Sequence, residues 1–561
     1  MNRLLLGLLA LATCTSLAQA QPAELVVRGA RIHTVDDARP QATAFAVSGG
    51  RFVAVGTDAE IAAHIGATTR VLDLAGKTIV PGFNDAHIHP RPLYPEEAPW
   101  SPVDVGPGRV STMDELIAAL RRKAAVTPPG QWISGGRYQE TKLGRHPTRH
   151  DLDAASTEHP IIITHSSGHQ SVVNSRALAL GGVTRDTPNP SGGNIVKDET
   201  GDLTGRLQES AAGLVRGAGV RTEVRPPESA QIEGYRACLA EYLARGITSI
   251  GVAGGSPVSA DLLAKALDGK ELIRIHQMLR ETDLDEAVRR KEAGPTATGG
   301  LHYTGIKLFH GNSLSGQTCW LYEPYAHDSS YFGVPPSRSQ EDLNALVLRV
   351  HRAGLQACIH SNGDREIDMV LTAFAEAQRV HPRPDPRHRI EHASVVNARI
   401  VSRFKEIGVI AVPHSYLFEH GDKHENYGPA RWEWMHAARS FLDAGVAVAG
   451  HSDSPVAMAN PLLCIQDMVT RRSEQGKVYG ASQRITPAEA LRIWTLGGAY
   501  ATFSENDKGS ITTGKLADFV VLGADPLTVD PLAIKDIPVE MTVVGGKLVY
   551  AAKANAEATQ N

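Results

Sequence analysis

The chain is poor in the features that define a class at once: cysteine, net charge and long apolar runs. Of its 561 residues 5 are cysteine, and 57 Lys+Arg against 61 Asp+Glu give a formal net charge of −4. Because this net charge is small, the chain has no long-range electrostatic attraction for nucleic acid, and we expect no nucleic-acid partner. Beyond the N-terminus no apolar run approaches the roughly 18 residues of a membrane helix, so no stable membrane span is predicted. The 42% hydrophobic and 21% charged residues exclude a disordered or collagen-like chain.

The first residues have the order of a secretory signal. Met1-Asn2-Arg3 is a basic start, Leu4 to Ala12 an apolar core, and Ala18-Gln19-Ala20 a small-residue cleavage site. We therefore predict cleavage after Ala20 and a periplasmic or secreted mature protein. A lipid anchor at Cys14 is the alternative.

The four later cysteines are too few and too widely spaced for a disulfide scaffold or a zinc knuckle. We predict that most are buried free thiols, although an exported location permits one disulfide. They are Cys238, Cys319, Cys358 and Cys464.

Short apolar strands alternate with helical stretches through the middle of the chain, which is the pattern of a parallel α/β sheet. Eight candidate strands predict a distorted (β/α)8 TIM barrel over residues 78–507, an α/β fold. These strands are Thr78–Phe83, Ile247–Val252, Ile273–Leu279, Gly305–Phe309, Gln356–Ile359, Arg389–Glu391, Val409–Val412 and Val446–Ala449.

Two further features complete the predicted organisation. Residues 21–77 and 508–561 both read as short strands with turns, so we predict one composite β-sandwich domain from the two chain ends. Two unrelated edge hairpins are the alternative. The long gap after the first barrel strand predicts an inserted subdomain over about residues 90–240.

Histidine is abundant, with 23 residues against 11 Phe and 6 Trp. Because histidine is the commonest metal ligand and a proton carrier near neutral pH, a metal or acid–base site is worth seeking. His87 and His89 follow an apolar strand, and residues i and i+2 of a strand point to the same face. The pair is therefore placed to bind one ion at the C-terminal end of that strand.

Other potential ligands end later strands of the predicted barrel. Because the C-terminal strand ends of such a barrel meet at one face, these side chains are expected to converge there with the histidine pair. Imidazole and carboxylate ligands suit Zn²⁺ and other borderline divalent ions. The residues are Lys307, His360, His392 and Asp453. Three histidines away from strand ends, His420, His424 and His436, are expected to be solvated.

With these motifs the chain resembles the amidohydrolase superfamily, in the branch of the YtcJ-like proteins and N-substituted formamide deformylase (amidohydrolase family 3). The resemblance covers nearly the whole mature chain. It includes Gly168-His169, Asn174-Ser175-Arg176-Ala177-Leu178, Thr204-Gly205-Arg206-Leu207-Gln208-Glu209, Leu321-Tyr322-Glu323-Pro324-Tyr325, Thr486-Pro487-Ala488-Glu489-Ala490-Leu491 and Gly514-Lys515-Leu516-Ala517-Asp518.

The resemblance implies roles for the metal ligands. His87 and His89 would bind the more buried ion together with Asp453, and His360 and His392 would bind a second. Lys307 lies where many members carry a bridging lysine, often carboxylated by CO₂, and a free structural lysine is the alternative. One or two ions, most simply Zn²⁺, are compatible with the pattern.

The ligand set predicts a mechanism in which a metal-activated water attacks the substrate. Asp453 would act as general base and then general acid. His169 either polarises the scissile carbonyl or is an ordinary loop histidine. Weaker candidates for substrate contact are Asn174 and Glu209, whose alternative role is to hold the insertion together. His414 is a candidate for the pocket wall and so for substrate contact. His310 stands where relatives commonly have Asp-Gly, and it is a candidate for a substrate contact, an extra ligand or a neutral replacement.

We therefore predict a metal-dependent hydrolase of C–N bonds other than peptide bonds, acting on a small molecule, most simply an N-substituted amide or formamide. An esterase, lactonase or phosphoesterase on the same metal centre is one alternative. A non-catalytic periplasmic metal- or ligand-binding protein is the other, although such a protein needs no proton shuttle like Asp453. Whether the chain forms a homo-oligomer is left open.

Overall fold

A computed structural model describes residues 21–98, 100–217, 225–269, 272–294 and 301–552. The predicted export signal and the alternative anchor at Cys14 lie outside this part of the chain. Within it the four cysteines are free and buried, which confirms the predicted thiols. None of the helices in the described ranges has the length and apolarity needed to cross a membrane.

The centre of the molecule is a nearly closed barrel of parallel strands, which confirms the predicted α/β fold. Seven strands neighbour one another in chain order. Most of their residues are buried, because helices cover the outside of a barrel of this kind and side chains fill its inside. The strands are β1 (Phe83–Ile88), β2 (Ile247–Gly255), β3 (Arg274–Arg280), β4 (Leu301–Phe309), β5 (Gln356–Ser361), β6 (Arg389–His392) and β7 (Ile410–Pro413).

An irregular segment, residues 446–453 and here called the closing segment, occupies the eighth position, where sequence predicted a strand over Val446–Ala449. It bonds to β7 through the N–H of Ala449, which donates to the carbonyl of Ala411 at 3.0 Å. On its other side it accepts from β1, where the N–H of Ala86 donates to the carbonyl of Gly450 at 3.0 Å. The barrel is thus closed by hydrogen bonds on both edges of a segment that is not itself a regular strand.

The predicted first strand over Thr78–Phe83 is wrong, because this apolar run is divided between two sheets. Residues Thr78–Pro81 pair with Phe519–Leu522 outside the barrel, and the barrel strand begins at Phe83. Gly82 lies at the junction, where an added Cβ would come within 2.1 Å of the Thr248 hydroxyl. The close approach of β2 therefore requires glycine at this crossing.

Helices pack around the barrel and within the insertion. Their ends follow local capping rules: for example, the Asn397 side chain accepts the N–H of Ile400 at the start of a helix. That helix buries Ile400, Val401 and Phe404 in the barrel cluster. The helices are Asp58–Ile61, Met113–Val126, Glu140–Leu143, Arg149–Ala155, Ser175–Leu180, Gly213–Arg216, Glu228–Ala244, Pro257–Leu267, Leu284–Glu292, Gln340–Arg352, Asp364–Val380, Ala398–Ile407, Leu417–His420, Pro429–Trp432, Ala438–Asp443, Pro461–Thr470, Pro487–Arg492 and Gly498–Ala501.

Two sheets beside the barrel share one hydrophobic cluster, in which Phe45, Phe52 and Phe519 are fully buried. The ring centroids of Phe45 and Phe519 lie 5.0 Å apart. One sheet comes from the N-terminal part: Arg51–Gly56, Ala44–Ser48, Leu25–Arg28 and Arg70–Asp73. The other, here called the composite sheet, combines strands from both ends of the chain. Its strands are, in sheet order, Lys547–Ala551, Val539–Val544, Phe519–Leu522, Thr78–Pro81, Arg31–His33 and Gln41–Ala42.

The chain between β1 and β2 forms a six-stranded sheet with its own buried clusters. Several of its residues line the same cavity as the strand ends of the barrel, as described below. The strands are, in sheet order, Gly193–Lys197, Leu203–Glu209, Gln170–Val173, Ile161–His165, Ile133–Tyr138 and Val103–Asp104.

Candidate metal centre and its cavity

The C-terminal ends of the barrel strands carry a compact group of metal-ligand side chains. The Nε2 atoms of His87 and His89 lie 3.2 Å apart. Asp453 Oδ1 lies 3.3 Å from His87 Nε2 and 3.1 Å from His89 Nε2. Lys307 Nζ is 3.2 Å from the same nitrogen of His87. The structure thus brings together four of the residues that the sequence predicts as ligands.

A buried ion pair that the sequence analysis missed supports His87. Its Nδ1 lies against Glu391 Oε2, and the other oxygen of Glu391 accepts from Arg389 Nε at 2.6 Å. All three side chains are inaccessible to solvent. Burial raises the pKa of Glu391, but the charge of Arg389 and the hydrogen bond with His87 outweigh it and hold the pKa below its ordinary value. A carboxylate of this kind fixes the ring and leaves Nε2 for an ion.

Three more histidines border this group. They are His392 at the end of β6, His414 directly after β7 and His451 in the closing segment. Each has a ligand atom within 4.8 Å of the other two. His451 was not predicted as a ligand. It nevertheless stands two residues before Asp453, which is the same i, i+2 spacing that relates His87 to His89. His414, a predicted candidate for substrate contact, faces Asp453 Oδ2 with its Nε2 at 3.1 Å and is not among the residues that line the cavity.

The donor set fits a borderline divalent metal ion. Asp453 Oδ1 and both nitrogens of His451 are buried and make no hydrogen bond to any described residue. Such polar atoms are rare in folded proteins unless water or an ion satisfies them. Imidazole and carboxylate together are ligands that zinc-like ions accept.

The charged groups at the centre have shifted pKa values. Burial lowers the pKa of Lys307 to about 8. Burial alone would raise the pKa of Asp453, but the neighbouring His392 and the hydrogen bond with His414 hold it well below its ordinary value. Asp453 is therefore a carboxylate at neutral pH and able to accept a proton.

A cavity of about 580 Å³ opens above these residues. The barrel and the insertion both contribute to its wall, so the site depends on both parts of the chain. From the barrel come His89, Lys307, His310, His360, His392 and Asp453, and from the insertion come Ser167, His169 and Glu209.

His169 and Glu209 form a hydrogen-bonded pair on the insertion side of the cavity. His169 Nδ1 lies 2.7 Å from Glu209 Oε2, and the Thr318 hydroxyl donates to the other oxygen of Glu209. Burial lowers the pKa of His169, but the Glu209 carboxylate outweighs it and raises the pKa above its ordinary value. Glu209, predicted to contact substrate, thus has both oxygens engaged and holds His169 in place.

His360 and His310 line the cavity but make different contacts. His360 Nε2 lies 3.0 Å from the carbonyl oxygen of Asn312, to which it donates if that nitrogen carries the proton. The Asn362 amide donates to the same carbonyl at 2.7 Å. His310 has two buried nitrogens with no hydrogen-bond partner in the described ranges, and burial lowers its pKa to about 4. A neutral His310 is thus available to a ligand.

The Asn174 side chain makes structural hydrogen bonds within the insertion, which is the alternative to the predicted substrate contact. Its Oδ1 accepts from the N–H groups of Ile161 and Ala177, and its amide donates to the carbonyl of His159. These bonds cap the helix Ser175–Leu180 and tie it to the neighbouring strand. Asn174 is fully buried and does not line the cavity, so its role is structural.

The prediction that three further histidines are solvated is also wrong. His420, His424 and His436 are at most 2% exposed. Their rings pack with aromatic neighbours such as Tyr416 and Tyr479 rather than facing water. Position in the sequence did not reveal this burial, because it depends on neighbours distant along the chain, such as Tyr479 beside His424.

A barrel with imidazole and carboxylate groups at the C-terminal ends of its strands is the arrangement expected of a metal-dependent hydrolase. Comparison with known proteins agrees with this class. A family model described as "Amidohydrolase family" matches residues 70–550. N-substituted formamide deformylase of Arthrobacter pascens is 30% identical over 550 residues, covering 94% of this chain and 99% of the relative. Putative amidohydrolase YtcJ of Bacillus subtilis is 29% identical over 499 residues, covering 86% and 90% of the two chains.

Solved structures share the fold. A metal-dependent hydrolase from Pyrococcus horikoshii superimposes with a TM-score of 0.68 at 24% identity, covering 90% of this chain and 99% of the other. A metal-dependent hydrolase from Pyrococcus furiosus gives 0.66 at 25% identity, covering 90% and 100%. The chain belongs to the amidohydrolase family and is a hydrolase, as its sequence motifs predicted.

Proposed function

We propose that the protein hydrolyses a C–N bond other than a peptide bond in a small N-substituted amide or formamide, with Zn²⁺ as the simplest metal. The observation that carries the proposal is the group of His87, His89 and Asp453 at the floor of a cavity that His169 also lines. The similarity to N-substituted formamide deformylase supports the choice of bond.

His87, His89 and Asp453 would hold the ion, with Glu391 orienting His87. When bound, a divalent ion lowers the pKa of water to about 7 and polarises a carbonyl. Asp453 accepts one proton of the attacking water and delivers it to the leaving nitrogen. The C–N bond breaks, and the products are a carboxylic acid and a free amine. From a formamide the acid is formic acid.

We also propose that Lys307 takes part as a carboxylated lysine. Its side chain is 1% exposed, with Nζ 3.2 Å from His87 Nε2. An ammonium group has no lone pair for a metal, so a ligand role requires the amine to react with CO₂ and lose a proton. The resulting carbamate is anionic and has two oxygens that can bridge ions.

His169 is expected to stabilise the developing negative charge on the substrate carbonyl oxygen. Glu209 engages Nδ1, which leaves Nε2 free to donate. Replacing His169 by Asn should lower kcat by about 10²- to 10³-fold, the cost of removing one oxyanion donor. Steady-state kinetics with metal analysis checks this, and the metal content should not change.

His33 provides a matched control for this substitution. It is buried and pairs with a carboxylate, its Nε2 lying 2.9 Å from Asp525 Oδ1, but it belongs to the composite sheet. His33→Asn should leave kcat near the wild-type value. Unchanged kinetics in His169→Asn would remove His169 from the mechanism.

A substrate panel assayed with and without a chelator tests the proposal. We expect hydrolysis of N-substituted amides or formamides, loss of that activity after metal removal, and its recovery when Zn²⁺ is restored. Preference for esters, lactones or phosphoesters would indicate the alternative chemistry on the same centre. Metal-loaded protein that hydrolyses no member of the panel would contradict the hydrolase proposal and favour a binding protein.

We further propose that the protein is exported, on the basis of the basic start, the apolar core and the Ala18-Gln19-Ala20 site. The mature chain would then begin at Gln21. N-terminal sequencing of the protein from a periplasmic extract tests this, and a chain that retains Met1 would contradict it.

A further inference from the structure

Three arginines line the same cavity as the metal-ligand side chains. Arg91 lies three residues after β1, Arg280 is the last residue of β3, and Arg216 ends a short helix of the insertion. All three are exposed, so a molecule in the cavity can contact them. Because a guanidinium group is always charged in proteins, this part of the cavity wall is positive.

Arg216 is held in place by neutral partners. Its Nη2 donates to the hydroxyl of Ser171 at 2.7 Å and to that of Thr164 at 3.0 Å, in two strands of the insertion. Both hydrogen bonds use one nitrogen, so Nε and Nη1 can donate to a ligand. A side chain that is already fixed loses little conformational entropy when it binds that ligand.

Arg91 is a positively charged neighbour of Arg216. Desolvation by the cavity wall and the charge of Arg91 both lower the pKa of Arg216. Neither guanidinium forms an ion pair with a carboxylate of the described residues. Two neighbouring like charges repel each other, and an anion bound beside them relieves that repulsion.

The carboxylates of the cavity wall are engaged elsewhere. Glu209 contacts His169 and Thr318, and Asp453 belongs to the metal-ligand group. Among the described residues that line the cavity, these two are the only acidic ones. The arginines therefore have no counter-ion from the wall itself.

His310 gives a second indication that the cavity holds a polar ligand. It is 2% exposed and lines the cavity, and both of its nitrogens lack a hydrogen-bond partner in the described part of the chain. Buried polar atoms are seldom left unsatisfied, so water or a ligand is expected beside them. A neutral imidazole carries one N–H, which can donate to an oxygen atom of the ligand.

We propose that the substrate carries a carboxylate, which Arg91 and Arg216 bind. The inference rests on the proposed function and narrows it to amides or formamides with an acidic substituent. A planar guanidinium donates two parallel hydrogen bonds to a carboxylate. The cavity of about 580 Å³ is of the size that holds a small molecule. Phe309, which is 51% exposed in the same wall, offers apolar contact to the carbon chain of that molecule.

Matched pairs of substrates test the proposal. Each pair is an N-formyl ω-amino acid and the N-alkylformamide of the same length, in which a methyl group replaces the carboxylate; several chain lengths are compared. For the best acid, kcat/KM should be about 10- to 100-fold above that of its neutral partner, the scale of a hydrogen bond to a charged group. The preference should decrease as salt is raised, because exposed charges are screened.

Substitution of the arginines should reduce this preference. Arg216→Gln and Arg91→Gln should each lower kcat/KM for the acid far more than for its neutral partner, mainly through a higher KM, so that the ratio falls by about 10-fold. Arg216→Lys keeps the charge without the planar fork and should retain part of the preference.

Arg121→Gln is the matched control. Arg121 is also exposed and also donates to a neutral oxygen, the carbonyl of Ala154 at 2.7 Å, but it does not line the cavity. This variant should keep the wild-type ratio of acid to neutral substrate. A ratio that fell equally in Arg121→Gln and Arg216→Gln would contradict the proposal, because a general loss of surface charge would then explain the effect.

Binding without turnover separates this inference from the proposed function. Full-length Asp453→Asn protein loaded with Zn²⁺ is titrated with the same pairs of compounds by calorimetry. The acid should bind more tightly than its neutral partner, and adding Arg216→Gln should reduce the difference by about 10-fold. If this result is obtained and the wild type hydrolyses no amide, the proposed function alone is contradicted.

The inference is overturned if the protein binds and hydrolyses the acid no better than its neutral partner at every chain length. It is also overturned if the double variant Arg91→Gln, Arg216→Gln keeps the full preference for the acid, because the metal ion would then be the group that holds the carboxylate. Either result in a protein that hydrolyses amides contradicts this inference alone.

Discussion

Asp453→Asn is expected to lower kcat by about 10²- to 10⁴-fold, the range that a positioned general acid–base contributes. Asparagine keeps an oxygen that can bind a metal but cannot carry a proton between water and the leaving nitrogen. Turnover should therefore fall far more than metal content. Steady-state kinetics and metal analysis on the same preparation separate the two effects.

Asp467→Asn is the control for this substitution. Asp467 is 1% exposed and accepts the N–H of Phe418, so it is as buried as Asp453 but does not line the cavity. Its replacement should leave kcat near the wild-type value. If Asp453→Asn kept full turnover with metal bound, another group would have to be the proton carrier.

Glu391→Gln is expected to weaken both folding and metal binding. The substitution leaves the Arg389 guanidinium buried without a compensating charge, which costs about 3–5 kcal/mol of unfolding free energy. It also removes the carboxylate against His87 Nδ1, so metal affinity should fall by about 10- to 100-fold. Denaturant unfolding of the stripped protein and metal titration measure the two effects.

Asp518→Asn distinguishes the loss of stability from the loss of metal affinity. Asp518 forms a buried pair with Arg274, at 2.6 Å and 2.9 Å, which ties the composite sheet to the barrel away from the cavity. This variant should lose stability on the same scale while keeping wild-type metal affinity. Equal metal affinity in Glu391→Gln and the wild type would show that the carboxylate does not support His87 as a ligand.

The candidate ligands that could be predicted from sequence are those whose position follows from one strand. The i, i+2 spacing of His87 and His89 and the position of His392 at the end of a short predicted strand are local features. Once the alternation of strands and helices indicates a barrel, its geometry brings the strand ends together. No pairwise contact had to be known for this step.

The residues that were missed or misassigned depend on contacts between distant parts of the chain. Glu391 supports a histidine 304 positions away, and Thr318 holds Glu209 from 109 positions away. Asn174 lies in a motif that matches the family, but its side chain caps a helix. His414 lies against Asp453 because the closing segment runs beside β7.

By itself the sequence determined the class of fold and the face of the barrel on which the candidate ligands lie, because periodicity and strand-end position are local properties. The family followed from the resemblance of its motifs. Only the tertiary structure decided that Thr78–Pro81 leaves the barrel, that His169 is held by Glu209, and that His451 joins His392 and His414. These outcomes depend on which elements become neighbours. Packing across the whole chain decides that, and no short segment encodes it.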